Sequence, residues 1–173
     1  MDRTVVLSVL EKELSGSDFK SDESDRVPAM PTLKCSLEIN APACEVWRVL
    51  TTSELVREWA SAYAEGLSIR TTWREGSDIT WKTQDGAIRT CGKITASKPE
   101  KLLRFDYPTD PLTARPMFSE TFEIEAMDRR TRLRLITGPL ETGAMRAMKH
   151  RADKAIEQIK SLAEESAQIH RLR

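Results

Sequence analysis

The feature of this sequence best placed to do chemistry is an acidic side chain set among aromatic ones at strand spacing. Glu120 shares the parity of Phe118, Phe122 and Ile124, so in a strand all four face one side. If that side is a core, the carboxylate costs several kcal/mol unless it is paired, or it keeps a proton and stays neutral. A carboxyl of that kind can anchor a polar group or act as a general acid/base inside an apolar site. Two plainer arrangements give the same pattern. The acid can reach water past the end of a covering helix, or a local bulge can reverse the parity.

Around it the sequence offers apolar material for a cavity wall. Trp59, Trp73, Trp81, Phe105, Tyr107, Phe118 and Phe122 form one set, with Met145, Met148 and Ala152 on a later helix. Such residues build a plain core as readily as a ligand site, and methionines re-pack easily around a variable guest. Arg89 and Arg104 fall on neighbouring strands, where they can hold an anionic head group or make solvent-facing ion pairs. The 2 histidines, His150 and His170, both lie in the last segment. No Ser or Cys therefore has a strand or loop histidine to activate it, which argues against a triad hydrolase. Zinc needs about three or four convergent ligands, and no such spacing is visible, so no metal is expected. No glycine-rich phosphate loop follows a strand, and no cofactor is expected.

These side chains need a sheet and a long helix to position them. Leu33, Cys35, Leu37 and Ile39 alternate with polar neighbours, the period of a half-buried strand. Asn40-Ala41-Pro42 ends that strand and opens a helix, with Pro42 in its first turn and Val46, Trp47 and Leu50 facing inward. A second short helix from about Ser53 carries Leu55, Val56 and Trp59. Six further strands are predicted. They run from Leu67 to Trp73, around Ile79 and Trp81 up to an Asp85-Gly86 turn, from Ile88 to Ala96, from Leu102 to Tyr107, through Phe118–Ile124, and around Leu133 and Leu135 up to Gly138-Pro139. A loop from Pro108 to Pro116 joins the fifth and sixth strands of the chain. From about Glu141 to Ile169, Met145, Met148, Ala152, Ala155, Ile159 and Leu162 recur at helical steps. A sheet of seven strands twists and curls, and only this terminal helix is long enough to cover its concave face.

The bulk numbers narrow the function classes. Lys+Arg and Asp+Glu both number 27, for a formal net charge of +0. No long-range field then favours a nucleic acid, which usually meets a basic stripe. The basic run Arg146 to Lys154 reads as the solvated face of a helix. No stretch approaches the ~20 apolar residues of a membrane span. Cys35, Cys44 and Cys91 lack CxxC spacing and read as reduced thiols, which points to the cytoplasm. Residues 1–31 differ from the rest. Thr4 can cap a short helix bearing Val6, Leu10 and Leu14, and residues 15–31 are too rich in Ser, Asp, Glu and Pro to build a core, so they read as a linker. The predicted division is an extension over 1–31 and one domain over 32–173, with Met30 as a candidate alternative start.

Three segments carry a family resemblance. The run Thr71-Thr72-Trp73-Arg74-Glu75-Gly76-Ser77-Asp78-Ile79-Thr80-Trp81 resembles a Trp-x-x-Gly-Ser-x-Ile-x-aromatic hairpin. Gly92-Lys93-Ile94 leads to Pro99-Glu100-Lys101-Leu102-Leu103, and Ile39-Asn40-Ala41-Pro42 leads to Val46-Trp47 and Trp59. Together these look like bacterial proteins related to the activator of the ninety-kilodalton heat-shock protein ATPase. That family lies in the START-like (SRPBCC) superfamily with polyketide cyclases and the birch-pollen allergen type. The resemblance covers about Thr32 to Leu162. It implies an α+β helix-grip fold, a seven-stranded curved antiparallel sheet around a long C-terminal helix, with a cavity between them. Two departures stand out: Ala152 occupies a position where the family commonly has Trp, and Cys91 stands before Gly92 where an acid is frequent.

The leading expectation is non-enzymatic binding of a small apolar or amphipathic molecule in that cavity. One alternative is a cyclase- or dehydratase-like enzyme using Glu120 as acid/base; another is a co-chaperone-like interaction module. The expected partner is the small molecule, with neither nucleic acid nor membrane span, and a homodimer stays open.

Overall fold

The computed structural model describes residues 31–107 and 118–171. The expected helix bearing Val6, Leu10 and Leu14, the linker, Met30 and the Pro108–Pro116 loop lie outside the described residues.

The strands are β1 (Leu33–Ile39), β2 (Ser68–Arg70), β3 (Asp78–Lys82), β4 (Ile88–Lys98), β5 (Leu102–Asp106), β6 (Ser119–Met127) and β7 (Arg130–Gly138). The helices are α1 (Ala43–Thr51) and α2 (Ser53–Ala60), both after β1, and α3 (Met145–Arg171) at the end. All neighbours pair antiparallel in the order β1-β7-β6-β5-β4-β3-β2. A curved seven-stranded sheet gripping a long C-terminal helix is the expected α+β helix-grip fold.

Local chemistry accounts for most boundaries. Pro42 sits one position earlier than expected, as the N-cap of α1 with φ -69 and ψ 158, and its carbonyl accepts the Glu45 N–H at 3.0 Å. Proline loses nothing there, because it has no N–H to leave unpaired. Val46, Val49 and Leu50 are fully buried, whereas Trp47 is only half-buried on the flank of the helix. The β3–β4 connection turns at Gly86, whose φ of 85 suits a residue without Cβ.

Two expectations shift. The second strand, predicted from Leu67 to Trp73, spans only Ser68–Arg70. Trp73 has φ 61, the left-handed region, so the pleat cannot continue through it. On α3 the buried stripe is Ala152, Ala155, Ile156, Ile159, Ala163, Ser166 and Ala167, while Met145, Met148 and Leu162 are half-buried. After Ile159 the next inward step is four residues, to Ala163, which leaves Leu162 on the flank. The alanines let the α3 backbone run close to β1, α1 and α2. Nearer its N-terminus, long side chains replace alanine, and there the helix does not seal the sheet.

The outer face of the sheet is laced by ion pairs. Arg132 reaches Glu38 and Glu125, Arg134 reaches Glu123, and Arg104 reaches Asp106. Exposed pairs of this kind add little stability, typically ~0.2–1 kcal/mol each. No helix is long and apolar enough to cross a membrane among the described residues.

Candidate functional site

Glu120 lies on the concave face of β6, opposite Phe105 of β5 and Thr137 of β7. Both pairings of β6 run without a register shift, so no bulge turns the carboxyl outward. Its residue exposure is 3%. Oε2 accepts a hydrogen bond from the Tyr107 hydroxyl at 3.2 Å, and that hydroxyl accepts one from Trp81 Nε1 at 2.9 Å. The donors thus run from indole to phenol to carboxylate. Oε1 has no hydrogen-bond partner, nor has the buried hydroxyl of Tyr63.

Burial pushes the Glu120 carboxyl up to about 7, against the smaller opposing pull of the Tyr63 and Tyr107 hydroxyls. Both phenols are themselves raised well above their ordinary value, mainly by burial and then by the facing carboxylate. They stay protonated near neutrality, so Tyr107 donates to Oε2 while the Tyr63 hydroxyl faces the carboxyl without a hydrogen bond of normal length. Glu120 instead sits near its midpoint there, able either to give or to take a proton.

A close backbone approach fixes Tyr107. A Cβ on Gly92 of β4 would stand 2.5 Å from the Asp106 carbonyl oxygen and 2.9 Å from Tyr107 Cδ1. Only glycine lets the two strands and the ring meet there. Trp59 fixes the other side. Its indole N–H donates to the Val49 carbonyl at 3.2 Å, and its ring meets Trp81 and Phe122 edge-on, at centroid distances of 6.4 and 5.6 Å.

The space bounded by these groups is a cavity of about 400 Å³, lined by Tyr63, Leu67, Trp81, Arg89, Thr90, Tyr107, Phe118, Glu120, Met148 and Arg151. Pockets for small molecules commonly measure about 300–1,000 Å³. Of the residues singled out in the sequence, Trp81, Tyr107, Phe118, Glu120 and Met148 meet on this wall. Trp59, Phe105 and Phe122, all at 0% exposure, form the core behind it. Ala152 is equally buried, one turn beyond Met148, and Met145 packs half-buried against the core; neither reaches the wall. Trp73 leaves the set altogether. Its left-handed backbone turns it toward a separate cavity of about 440 Å³ with Trp47, Thr51, Arg74, Glu75, Ser97 and Pro99, although its ring still meets Phe105 at 6.4 Å. Arg89 and Arg104 also part: Arg104 pairs with Asp106 at 2.8 Å, while Arg89 lines the cavity.

Four wall residues, Tyr63, Leu67, Thr90 and Arg151, escape the sequence reading as site residues. Tyr63 follows Trp59 by four residues, a helical step that could have drawn notice. Thr90 shares parity with Gly92 and Ile94, opposite Trp81. Arg151 falls in the basic run that reads as a solvated face, yet it follows Met148 by about one turn. No group of three or more His, Cys, Asp or Glu side chains able to hold a metal occurs among the described residues. Burial and the neighbouring Asp153 push the Cys35 thiol up to about 11, so it is no thiolate nucleophile near neutrality.

The family model for "Activator of Hsp90 ATPase homolog 1-like protein" matches residues 40–164, well over half of the chain. The chain belongs to this family. Solved structures agree on the fold. Protein MLL2253 of Mesorhizobium loti shares 20% identity with a TM-score of 0.62, covering 78% of this chain and 98% of its own. The Aha1 dimer of Colwellia psychrerythraea shares 18% identity with a TM-score of 0.62, covering 78% and 97% respectively. Protein NE0264 of Nitrosomonas europaea shares 18% identity with a TM-score of 0.60, covering 81% and 98%. No curated protein matches the chain. Membership in this family and the helix-grip fold support a ligand-binding or co-chaperone-like module.

Proposed function

We propose that the chain binds a small apolar or amphipathic molecule in the cavity between sheet and α3, with Glu120 as the polar anchor and without catalysing a reaction. One observation carries this reading. A carboxyl at 3% exposure keeps one oxygen without a partner beside an apolar space of about 400 Å³. A buried polar atom left unpaired costs on the order of 1–3 kcal/mol, which a guest able to hydrogen-bond with Oε1 would recover. Trp81, Tyr107, Phe118 and Met148 would supply the apolar contacts, with Trp59, Phe105, Phe122 and Ala152 holding them from behind.

A second reading makes the cavity a cyclase- or dehydratase-like active site. The carboxyl at about 7 favours it, since an acid/base works best with its midpoint near the operating pH. A co-chaperone-like role and a homodimer draw support from the family description and the Colwellia dimer respectively.

Native mass spectrometry of the purified protein, joined to uptake of an apolar fluorescent probe, tests the binding reading. A bound small molecule, or probe uptake that the molecule displaces, is the expected result. An empty protein that also excludes the probe removes the cavity from consideration. Conversion of the bound molecule on incubation, lost in Glu120→Gln, would move the protein to the second reading.

A further inference from the structure

The cavity has a second polar feature, at its rim. Arg89 near the start of β4 and Arg151 on α3 both line it, and both are exposed. Neither makes an ion pair among the described residues, although most of the sheet arginines do. The chain carries a formal net charge of +0, so this paired positive charge is local and not a reflection of a basic protein. The rest of the lining is Leu67, Trp81, Phe118, Met148, the two tyrosines and Thr90, mostly apolar. Exposed guanidiniums and a buried carboxyl with one unpaired oxygen thus share one largely apolar cavity.

We propose that the guest is an amphipathic monoanion, its carboxylate held at the mouth by Arg89 and Arg151 and a hydroxyl at its far end on Glu120 Oε1. The proposal rests on the cavity being a ligand site and goes on to say what kind of molecule fits it. A guanidinium fork matches a carboxylate with two parallel hydrogen bonds. A cationic head would meet two like charges at the rim. A second anion at the inner end would face Glu120 in an apolar enclosure, where unpaired charge is most costly. A hydroxyl can donate to Oε1 when the carboxyl is ionised and accept from it when it is protonated. Its fit does not depend on which form is present.

Four ten-carbon probes separate the parts: decanoic acid, decan-1-ol, 10-hydroxydecanoic acid and decyltrimethylammonium, titrated calorimetrically against the full chain. Decanoate should bind about 5-fold tighter than decanol, the scale of one or two partly exposed ion pairs. The hydroxy acid should gain about 5-fold more, and the ammonium compound should bind weakest. In Arg89→Gln/Arg151→Gln, with folding checked by circular dichroism and melting temperature, the decanoate-to-decanol ratio should fall to about 1. In Glu120→Leu the gain from the hydroxyl should vanish. Decanol matching decanoate, or a ratio that survives loss of both arginines, overturns the anionic head while leaving the cavity reading intact. A decanoate preference with no gain from the hydroxyl overturns the assignment of Oε1. If none of the four probes binds, the cavity reading falls and this inference falls with it.

Discussion

At Glu120 burial and hydrogen bonding pull against each other, and burial wins: the carboxyl stands at about 7 although two phenols face it. The consequence for folding follows from where the proton goes. Below the ordinary value of 4.5 the group is protonated in both folded and unfolded chains, and it costs nothing. Between that value and about 7 the folded chain must keep a proton that the unfolded chain has lost, so stability falls as pH rises. Above it the full cost is present, up to about 3 kcal/mol, since a tenfold difference in proton affinity is worth about 1.4 kcal/mol. Glu120→Gln keeps an acceptor for Tyr107 and removes the charge. Urea unfolding at pH 5 and pH 8 should therefore find the variant more stable than the parent at the higher pH, with the gap shrinking at the lower. An equal offset at both values would place Glu120 in contact with water. This residue was legible in the sequence because parity alone put it beside Phe122. Its partners were not. Trp81 and Tyr107 are separated by 26 residues and Tyr107 and Glu120 by 13, and no local period registers a contact between strands.

The two ends of helix α3 do different work: the start borders the cavity and the far end is anchored to α1. Near its start, Ala152 is fully buried one turn past Met148. Long helical side chains lean back over the preceding turn, so a Trp at 152 would project toward Met148 and the cavity. Ala152→Trp should fill that space and abolish probe uptake, at a stability cost of no more than about 2 kcal/mol, within the range for overpacking. Larger destabilisation with uptake unchanged would mean that the bulk went into packed core. Near the other end, Glu45 of α1 receives the Ser166 hydroxyl, Arg48 Nε at 3.0 Å, and His170 Nδ1 at 2.6 Å. Burial alone would raise this carboxyl, yet the hydrogen bonds from Ser166, His170 and Arg48 together hold it below its ordinary 4.5. Its stabilisation is thus present above that value and is lost as pH falls through the lowered one. Amide protection factors over residues 163–171 should fall in acid well before those of the sheet, and Glu45→Gln should produce that fall at neutral pH. Uniform exchange along α3 under both conditions would remove this anchor. Element types were readable because alternation in β1 and β6 and the alanine stripe of α3 are strong periodic signals. Element ends were less so: a left-handed Trp73 cannot be foreseen from a β-prone sequence.

At the scale of the whole molecule, Pro31 and Thr32 tie the start of β1 to the segment that follows β7. The Pro31 carbonyl accepts the Leu140 N–H at 2.9 Å, and the Thr32 backbone and methyl lie where a Cβ on Gly138 would meet them at 3.1 Å. These contacts close the edge between β1 and the segment leading to α3. Residues 15–31 have a composition that offers little apolar area to offset ordering. A chain starting at Met30 should therefore keep the parent's unfolding free energy to within about 0.5 kcal/mol, the usual range for changes away from a core. It should also keep the same affinity for decanoate, because the first cavity residue among the described ones is Tyr63. Chemical denaturation, decanoate titration and sedimentation of the two chains side by side make the check. A loss of more than about 2 kcal/mol would assign Val6, Leu10 and Leu14 a docking place. Sedimentation then says where: a shortened chain that stays the same oligomer has lost a contact with its own domain, and one that falls from dimer to monomer has lost a contact with a second copy.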